Sequence, residues 1–208
     1  MGFYTNYAPR LIKLLYPELI WDKAPGDKRA FLSFDDGPTP EVTTWVLDKL
    51  DKHQIKATFF CIGKNIEENP RLFQDILDRG HRVGNHTHNH LNGWRYNSKT
   101  YLENSLKAAD YIPENQGKLF RPPYGRITKR QIRKLNSLDY EIVMWSVLSG
   151  DWDKKTSPEQ CVQNCIKNLD KGNIFVFHDS IKAEKNLKGS LEKVILHLKE
   201  KGYSFDLL

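Results

Sequence analysis

Two adjacent carboxylates, Asp35 and Asp36, directly follow the apolar run 31–34 and precede Gly37. A short apolar run of this kind is typical of a buried strand, and glycine tolerates the positive φ of a tight turn. Burying an unpaired carboxylate is costly, and in a β/α protein the exits of the strands are where ligands and catalytic groups sit. The stretch therefore predicts a functional site, with a solvated turn as the open alternative.

Three histidines, His86, His88 and His90, occupy alternate positions further along the chain. His86 and His90 are four residues apart, so one helical turn would place both on the same face and point His88 elsewhere. Neutral imidazoles at this spacing are good ligands for zinc and similar divalent ions. Either Asp35 or Asp36 could complete a two-histidine, one-carboxylate set that leaves an open position for water. A solvated histidine-rich loop is the alternative.

A proline pair separates Arg121 from Tyr124 in the segment 120–125. Prolines fix the backbone and have no N–H group, so the next free backbone donor belongs to Tyr124. A rigid loop with one aimed N–H is what an oxyanion site needs, and Arg121 can pair with a carboxylate. Taken alone, the segment also fits a plain polyproline turn.

Two later apolar runs also end in polar groups, one near Asp151 and one at His178. His178 could act as a general acid or base, and Asp151 could orient it and raise its pKa as a neighbouring anion does. A single histidine at a strand end is usually structural. Here polar groups end four predicted strands, and in a barrel those exits converge on one mouth.

Strand and helix patterns alternate along the chain. Strands are predicted at 29–34, 57–62, 81–85, 119–120, 140–147, 173–177 and 203–207, and helices at 9–16, 40–52, 70–79, 99–111, 128–138, 158–169 and 187–201. This alternation indicates an α/β protein with a parallel sheet. About seven parallel strands without a mid-chain linker predict a distorted (β/α) barrel, and an open doubly wound sheet is the alternative.

The ordered set of motifs resembles the polysaccharide deacetylase family, the chitooligosaccharide-deacetylase homology domain of family-four carbohydrate esterases. The motifs are Ser33-Phe34-Asp35-Asp36-Gly37, His86-x-x-x-His90, Arg121-Pro122-Pro123-Tyr124, Asp151-Trp152 and Val176-Phe177-His178. The resemblance covers residues 29–208, interpreted as the catalytic domain, with residues 1–28 as an N-terminal lead-in segment.

This resemblance implies metal-dependent removal of N-acetyl or O-acetyl groups from an acetylated glycan. It implies one divalent ion, zinc first, with cobalt, nickel or manganese as alternatives. Carried over by position, the resemblance implies that the metal ligands are Asp36, His86 and His90. It implies that Asp35, held by Arg121, is the general base and that His178, tuned by Asp151, is the general acid. It also implies that the Tyr124 N–H donates to the oxyanion and that Trp152 and Val176 form the walls of the acetyl pocket.

Two positions depart from the family pattern. Leu148 stands where the family usually has an acid, three residues before Asp151, and Val176 replaces the usual leucine. The second change is conservative, whereas the first bears on rate or substrate. Hydrolysis of acetyl esters on xylan, hydrolysis of a non-sugar amide or imide, and a catalytically silent sugar-binding relative therefore stay open.

The amino-acid composition limits which other classes of protein this chain could belong to. The 208 residues carry a net charge of +6, with 28% charged and 39% hydrophobic residues, which is ordinary for one globular domain. Lysines and arginines are scattered among acids and no nucleic-acid motif is present, so nucleic acid is not an expected partner. Cys61, Cys161 and Cys165 form an odd, sparse set that predicts core thiols rather than a disulfide framework.

The sequence gives little indication of a targeting signal. No apolar run is long enough to span a membrane, and the leucine-rich stretch 11–17 is interrupted by Lys13 and Pro17. It is not followed by a small-residue cleavage site, so it does not predict a signal peptide. A cytoplasmic location is the default expectation, with export of a longer precursor left open, and the sequence predicts no oligomeric state.

Overall fold

A computed structural model describes residues 5–23, 26–167, 169 and 173–208. In this part of the chain the strands are β1 (Arg29–Asp35), β2 (Thr58–Cys61), β3 (Arg82–Asn85), β4 (Leu119–Phe120), β5 (Glu141–Ile142), β6 (Val147–Leu148), β7 (Ile174–His178) and β8 (Ser204–Phe205). They form one sheet in the order β5-β4-β3-β2-β1-β7-β6, and every pair is parallel. β8 pairs with the first two residues of β1.

Except for the first helix, which precedes β1, the described helices lie between successive strands. They are α1 (Arg10–Leu15), α2 (Val42–Lys52), α3 (Gly63–Glu68), α4 (Pro70–Asp78), α5 (Ser98–Ala109), α6 (Lys129–Asn136), α7 (Pro158–Ile166) and α8 (Glu184–Glu200). The predicted α/β fold with a distorted barrel is thus confirmed, and the doubly wound alternative is excluded. α3 was not predicted, and the predicted extension of α7 towards residue 169 crosses residue 168, outside the described residues. None of the described helices has the length and apolarity needed to cross a bilayer.

The predicted strand 140–147 is the main correction to the expected elements. Its two ends form β5 and β6, which lie at opposite edges of the sheet. In the residues between β5 and β6, the backbone N–H of Val143 donates to the Phe120 carbonyl at 2.8 Å, and the N–H of Ser146 donates to the Ile174 carbonyl at 3.0 Å. The segment crosses from one edge to the other, so it cannot pair with one neighbour along its whole length. With this crossing, the seven strands of the main path curl into a partial barrel.

The lead-in segment packs on the outside of this crossing. The N–H of Ile20 donates to the Ile142 carbonyl at 2.9 Å, and the Ile20 carbonyl accepts from Met144 at 2.7 Å. The N–H of Ala8 donates to Ser146 at 3.0 Å. The short predicted helix forms as α1, but none of its residues is buried. The division of the chain at residue 28 stays a prediction.

The core explains why most of β1 is apolar. β1 is the central strand, between β2 and β7, and six of its seven residues are buried. The ring of Phe34 stacks on those of Phe59 and Phe177, with centroids 5.1 and 6.1 Å apart. Each such buried ring contributes about 1.5–3 kcal/mol relative to an exposed one. This packing fixes the register that places Asp35 beside His178.

Candidate metal centre and active site

A cavity of about 820 Å³ opens at the carboxyl ends of the strands. Eight of the ten predicted site residues line it, namely Asp35, Asp36, His86, His90, Tyr124, Trp152, Val176 and His178. The other two, Arg121 and Asp151, are fully buried and reach the cavity through Asp35 and His178. The barrel therefore brings together the polar groups that the sequence leaves up to 143 positions apart.

Asp36, His86 and His90 form a three-residue cluster with the donor chemistry of a metal site. Oδ1 of Asp36 lies 3.2 Å from Nε2 of His90 and 3.7 Å from Nε2 of His86, and all three ligand atoms lie within 4.8 Å of one another. Ligands around a tetrahedral zinc ion are about 3.4 Å apart, given bonds of about 2.0–2.2 Å. Oδ1 of Asp36 is also buried without a well-formed hydrogen bond from any described residue. The cluster therefore fits a divalent cation.

The surroundings keep His86 in the form that a metal needs. Its Nδ1 lies 2.7 Å from the Arg121 carbonyl and donates to it, which leaves the Nε2 lone pair facing Asp36. Such a bond fixes the tautomer and ring orientation of a ligating histidine. Burial lowers the pKa of His86 to about 4, so the ring is neutral at pH 7.

The carboxylate in the cluster is ionised. Burial by itself would raise the pKa of Asp36, but the imidazole of His90 and the positive charge of His178 hold that pKa well below its usual range. The third histidine of the segment, His88, points away as expected, with Nε2 3.7 Å from Glu67.

Three residues at the cavity have left-handed backbone conformations. The φ angles are +83° at Asp36, +54° at His90 and +60° at Tyr124. Each costs a non-glycine residue free energy, and such conformations persist where the surrounding structure fixes them, often at active sites. All three residues line the same cavity, so part of the backbone strain of the described chain lies where the chemistry is predicted.

Arg121 is a fully buried cation that holds Asp35. Its Nη1 donates to Oδ1 of Asp35 at 2.7 Å and to Oγ of Ser33 at 2.8 Å. Nε and Nη2 donate to the carbonyls of Val143 and Met144 at 3.2 and 2.9 Å. The guanidinium thus ties β1 to the closing segment and points one Asp35 oxygen away from the cavity.

His178 and Asp151 form a second buried pair across the cavity. Nδ1 of His178 donates to Oδ1 of Asp151 at 2.8 Å, and its backbone N–H donates to Oδ2 at 2.7 Å. Burial by itself would lower the pKa of His178, but the Asp151 carboxylate, helped by Asp36 and Asp35, raises it to about 9. His178 is therefore protonated at neutral pH, as a general acid must be.

The loop after β4 leaves one backbone donor free. In the 3₁₀ turn Pro123–Gly125, the N–H groups of Gly125 and Arg126 donate back to Pro122 and Pro123 at 3.0 Å each. The Tyr124 N–H makes no hydrogen bond to any acceptor in the described part of the chain. It is thus available to a ligand at the cavity, as an oxyanion donor must be.

Comparison with known proteins identifies the protein family of this chain. A family model described as polysaccharide deacetylase matches residues 22–143. The chain belongs to the polysaccharide deacetylase family. A peptidoglycan-N-acetylglucosamine deacetylase from Bacillus cereus is 37% identical over 84% of this chain. The chain spans 64% of that enzyme's length.

Solved structures of the same family superpose closely. The structure of the peptidoglycan N-acetylglucosamine deacetylase Bc1960, in complex with a hydroxamic-acid ligand (4-naphthalen-1-yl-N-oxidanyl-benzamide), is 31% identical, with a TM-score of 0.87 over 97% of this chain and 95% of that chain. A family pseudoenzyme from Bacillus anthracis, BA3943, is 28% identical, with a TM-score of 0.79 over 89% of this chain and 66% of that chain. Membership of the family therefore does not by itself establish activity.

The family resemblance assigns the walls of the acetyl pocket to Trp152 and Val176. Leu148 and Val176 are partners in the β6–β7 register, and both line the cavity. Trp152 stands beside them, with its ring centroid 4.7 Å from that of His178. The leucine at position 148, where the family usually has an acid, thus adds apolar surface to this wall.

Several residues of the site were missed by the sequence reasoning. Ser33 bonds Arg121, Asn65 donates to the Asp36 carbonyl at 2.7 Å, and Asp179 accepts from the Gly37 N–H at 3.0 Å. Ser33 stands inside one recognised motif and Asp179 directly follows another, so their position was a usable signal. Asn65 lies on the unpredicted helix α3 and has no local signal.

Proposed function

We propose that this chain is a metal-dependent hydrolase that removes N-acetyl groups from the glycan strands of peptidoglycan. The observation that carries the proposal is the shared cavity. Around it lie three side chains with the donor chemistry of a metal site, a buried carboxylate and a histidine whose pKa is raised. Amide hydrolysis needs these three functions together, because the carbonyl must be activated, water deprotonated and the amine protonated.

Asp36, His86 and His90 would hold the ion. Two imidazoles and one carboxylate suit zinc first, with cobalt, nickel or manganese as alternatives. When bound, the ion supplies a Lewis acid that polarises the acetyl carbonyl and lowers the pKa of water. His86 is neutral and the Asp36 carboxylate ionised, so these two ligands need no deprotonation at neutral pH.

The chain's own groups then divide the proton transfers. Asp35, held by Arg121, accepts the proton of the attacking water. The Tyr124 N–H donates to the oxygen that becomes negative in the tetrahedral intermediate. His178 gives its proton to the departing amine, which leaves poorly unless protonated. Asp151 keeps the His178 Nδ1–H in place, so the proton transferred is that of Nε2.

Charge on the cavity wall favours an anionic glycan. The described lining includes Arg95, Arg126 and Lys182, and its carboxylates are Asp35 and Asp36 at the base. The Arg126 guanidinium stacks 4.0 Å above the Trp94 ring, which holds it at the rim. Peptidoglycan strands carry carboxylates, whereas chitin fragments and acetylated xylan backbones are neutral, so complementary charge would favour peptidoglycan.

The acetate-release experiment described below also distinguishes the alternative functions of this site. A silent relative would resemble the Bacillus anthracis pseudoenzyme, but this chain retains all the residues assigned above to catalysis and metal binding. Acetyl esters and non-sugar amides would use the same groups. The cytoplasmic location stays a prediction, and activity on mature glycan strands would require the opposite compartment.

The experiment is acetate release from a panel of purified peptidoglycan, N-acetylated chito-oligosaccharides and acetylated xylan. Each substrate is assayed with added zinc or cobalt and with a chelator control. We expect metal-dependent acetate, with the highest kcat/KM on peptidoglycan. Higher kcat/KM on chito-oligosaccharides would move the substrate to neutral glycans, and higher kcat/KM on xylan would favour esters. No acetate from any substrate, with the ion still bound, would overturn the proposal.

A further inference from the structure

Asp179 contacts both neighbours of the proposed ligand Asp36. Its backbone N–H donates to the Asp35 carbonyl at 3.1 Å. Its side-chain Oδ1 accepts from the Gly37 N–H at 3.0 Å. Asp36 therefore stands between two residues that are bonded to the same partner. Asp179 is fully buried, so solvent does not compete for these bonds.

A threonine fixes the other oxygen of Asp179. Oγ1 of Thr43 donates to Oδ2 of Asp179 at 2.6 Å and accepts from the Thr39 N–H at 2.7 Å. Thr43 lies in the first turn of α2 and is itself buried. The network thus runs from β7 to the start of α2 and encloses the turn that carries Asp36.

The turn has no room for another arrangement. A Cβ atom added to Gly37 would lie 2.0 Å from Oδ2 of Asp179, so residue 37 must be glycine while Asp179 is in place. Asp36 has φ of +83°, an unfavourable value that needs support from its surroundings. On the opposite side, Asn65 donates to the Asp36 carbonyl at 2.7 Å.

We infer that Asp179 is a positioning residue that sets the direction of the Asp36 carboxylate and so the metal affinity. The inference rests on the metal site of the proposed function. It gives the dipeptide 178–179 two tasks, because His178 faces the cavity while Asp179 holds the ligand turn. Residues that orient metal ligands typically change metal affinity by 10–100-fold when substituted.

The test compares zinc affinities, measured by competition with a chromophoric chelator. Asp179→Ala removes the acceptor of Gly37, and we expect zinc to bind 10–100-fold more weakly. Asp179→Asn keeps an oxygen for the Gly37 N–H, and we expect it to stay within a few-fold of the parent protein. If Asp179→Ala does not fold, Gly37→Ala carries the test, because its methyl group collides with Asp179 and should weaken zinc binding similarly.

A control separates positioning from loss of stability. Ser190→Ala removes a buried hydroxyl that donates to the Asn186 carbonyl at 2.6 Å on α8. We expect it to lower the Tm of chelator-treated protein without changing zinc affinity. Parent-like zinc affinity in Asp179→Ala, or an equal loss in Ser190→Ala, would overturn the inference. A parent protein that binds none of the four ions would overturn the metal site and this inference together.

Discussion

The carboxylate of Asp151 binds His178 twice, through the ring Nδ1–H at 2.8 Å and through the backbone N–H at 2.7 Å. The first bond selects the tautomer, and the second fixes the distance between the two residues. Asp151 is fully buried, so its charge acts on His178 through a medium of low dielectric constant. One carboxylate thus both orients the imidazole and raises its pKa to about 9, against the effect of burial.

We expect Asp151→Asn to move the alkaline limb of the rate profile to lower pH. A general acid is active when protonated, so turnover falls as the pH rises through the pKa of His178. Removing the Asp151 charge lowers that pKa from about 9. The measurement is kcat against pH between 5 and 10 on an amide substrate. Asp139→Asn, at an exposed position in the left-handed region, should leave the limb unchanged. An unshifted limb in Asp151→Asn would remove His178 from the role of acid.

Asp35→Asn should separate catalysis from metal binding. Asp35 is not part of the Asp36–His86–His90 cluster, so we expect zinc content to stay constant while turnover falls by about 10²–10⁴-fold, the usual contribution of a general base. His86→Ala should instead lose the metal, and His88→Ala, in the same segment, should retain it. Elemental analysis after gel filtration gives the zinc content of each variant. Near-normal turnover in Asp35→Asn would contradict the base assignment.

Arg121→Met should destabilise the fold strongly. The substitution leaves the Asp35 carboxylate buried without its cation, and removing one partner of a buried ion pair costs about 3–5 kcal/mol. The measurement is the free energy of unfolding in urea for chelator-treated protein. Combining Arg121→Met with Asp35→Asn removes the stranded charge, so the double variant should be more stable than Arg121→Met alone. A loss below about 1 kcal/mol would show that water reaches and solvates Asp35.

The fold was predictable where local pattern and global arrangement agree. The central strand β1 is buried at six of its seven positions and carries an apolar run, 30–34, interrupted only by Ser33. The segment 140–147 is also mostly apolar, yet its two ends form strands at opposite edges of the sheet. Nothing in a short window of sequence distinguishes these two cases, because the division is imposed by closure of the barrel.

The site was predictable to the extent that residue type indicates chemistry. A carboxylate or an imidazole at the end of a strand has few uses other than catalysis or metal binding. The residue types at positions 35, 36, 86 and 90 therefore indicated the site. Asn65 acts through a hydrogen bond to the Asp36 carbonyl. Any residue whose side chain carries a hydrogen-bond donor at the same reach could form this bond. The role of Asn65 depends on the path of α3 past β1, which only the folded chain shows.

The wall of the acetyl pocket should control which acyl group is removed. Leu148 and Val176 are neighbours in the β6–β7 register and line the cavity, so Leu148→Ala opens space beside the assigned pocket. One methylene group is worth about 1–3 kcal/mol of discrimination in an apolar pocket. We therefore expect the ratio of kcat/KM for N-propionyl over N-acetyl oligosaccharides to rise about tenfold. Leu196→Ala, at an exposed position on α8, should leave the ratio unchanged. An unchanged ratio in Leu148→Ala would place the acyl group elsewhere in the cavity, nearer to Tyr124 than to Trp152.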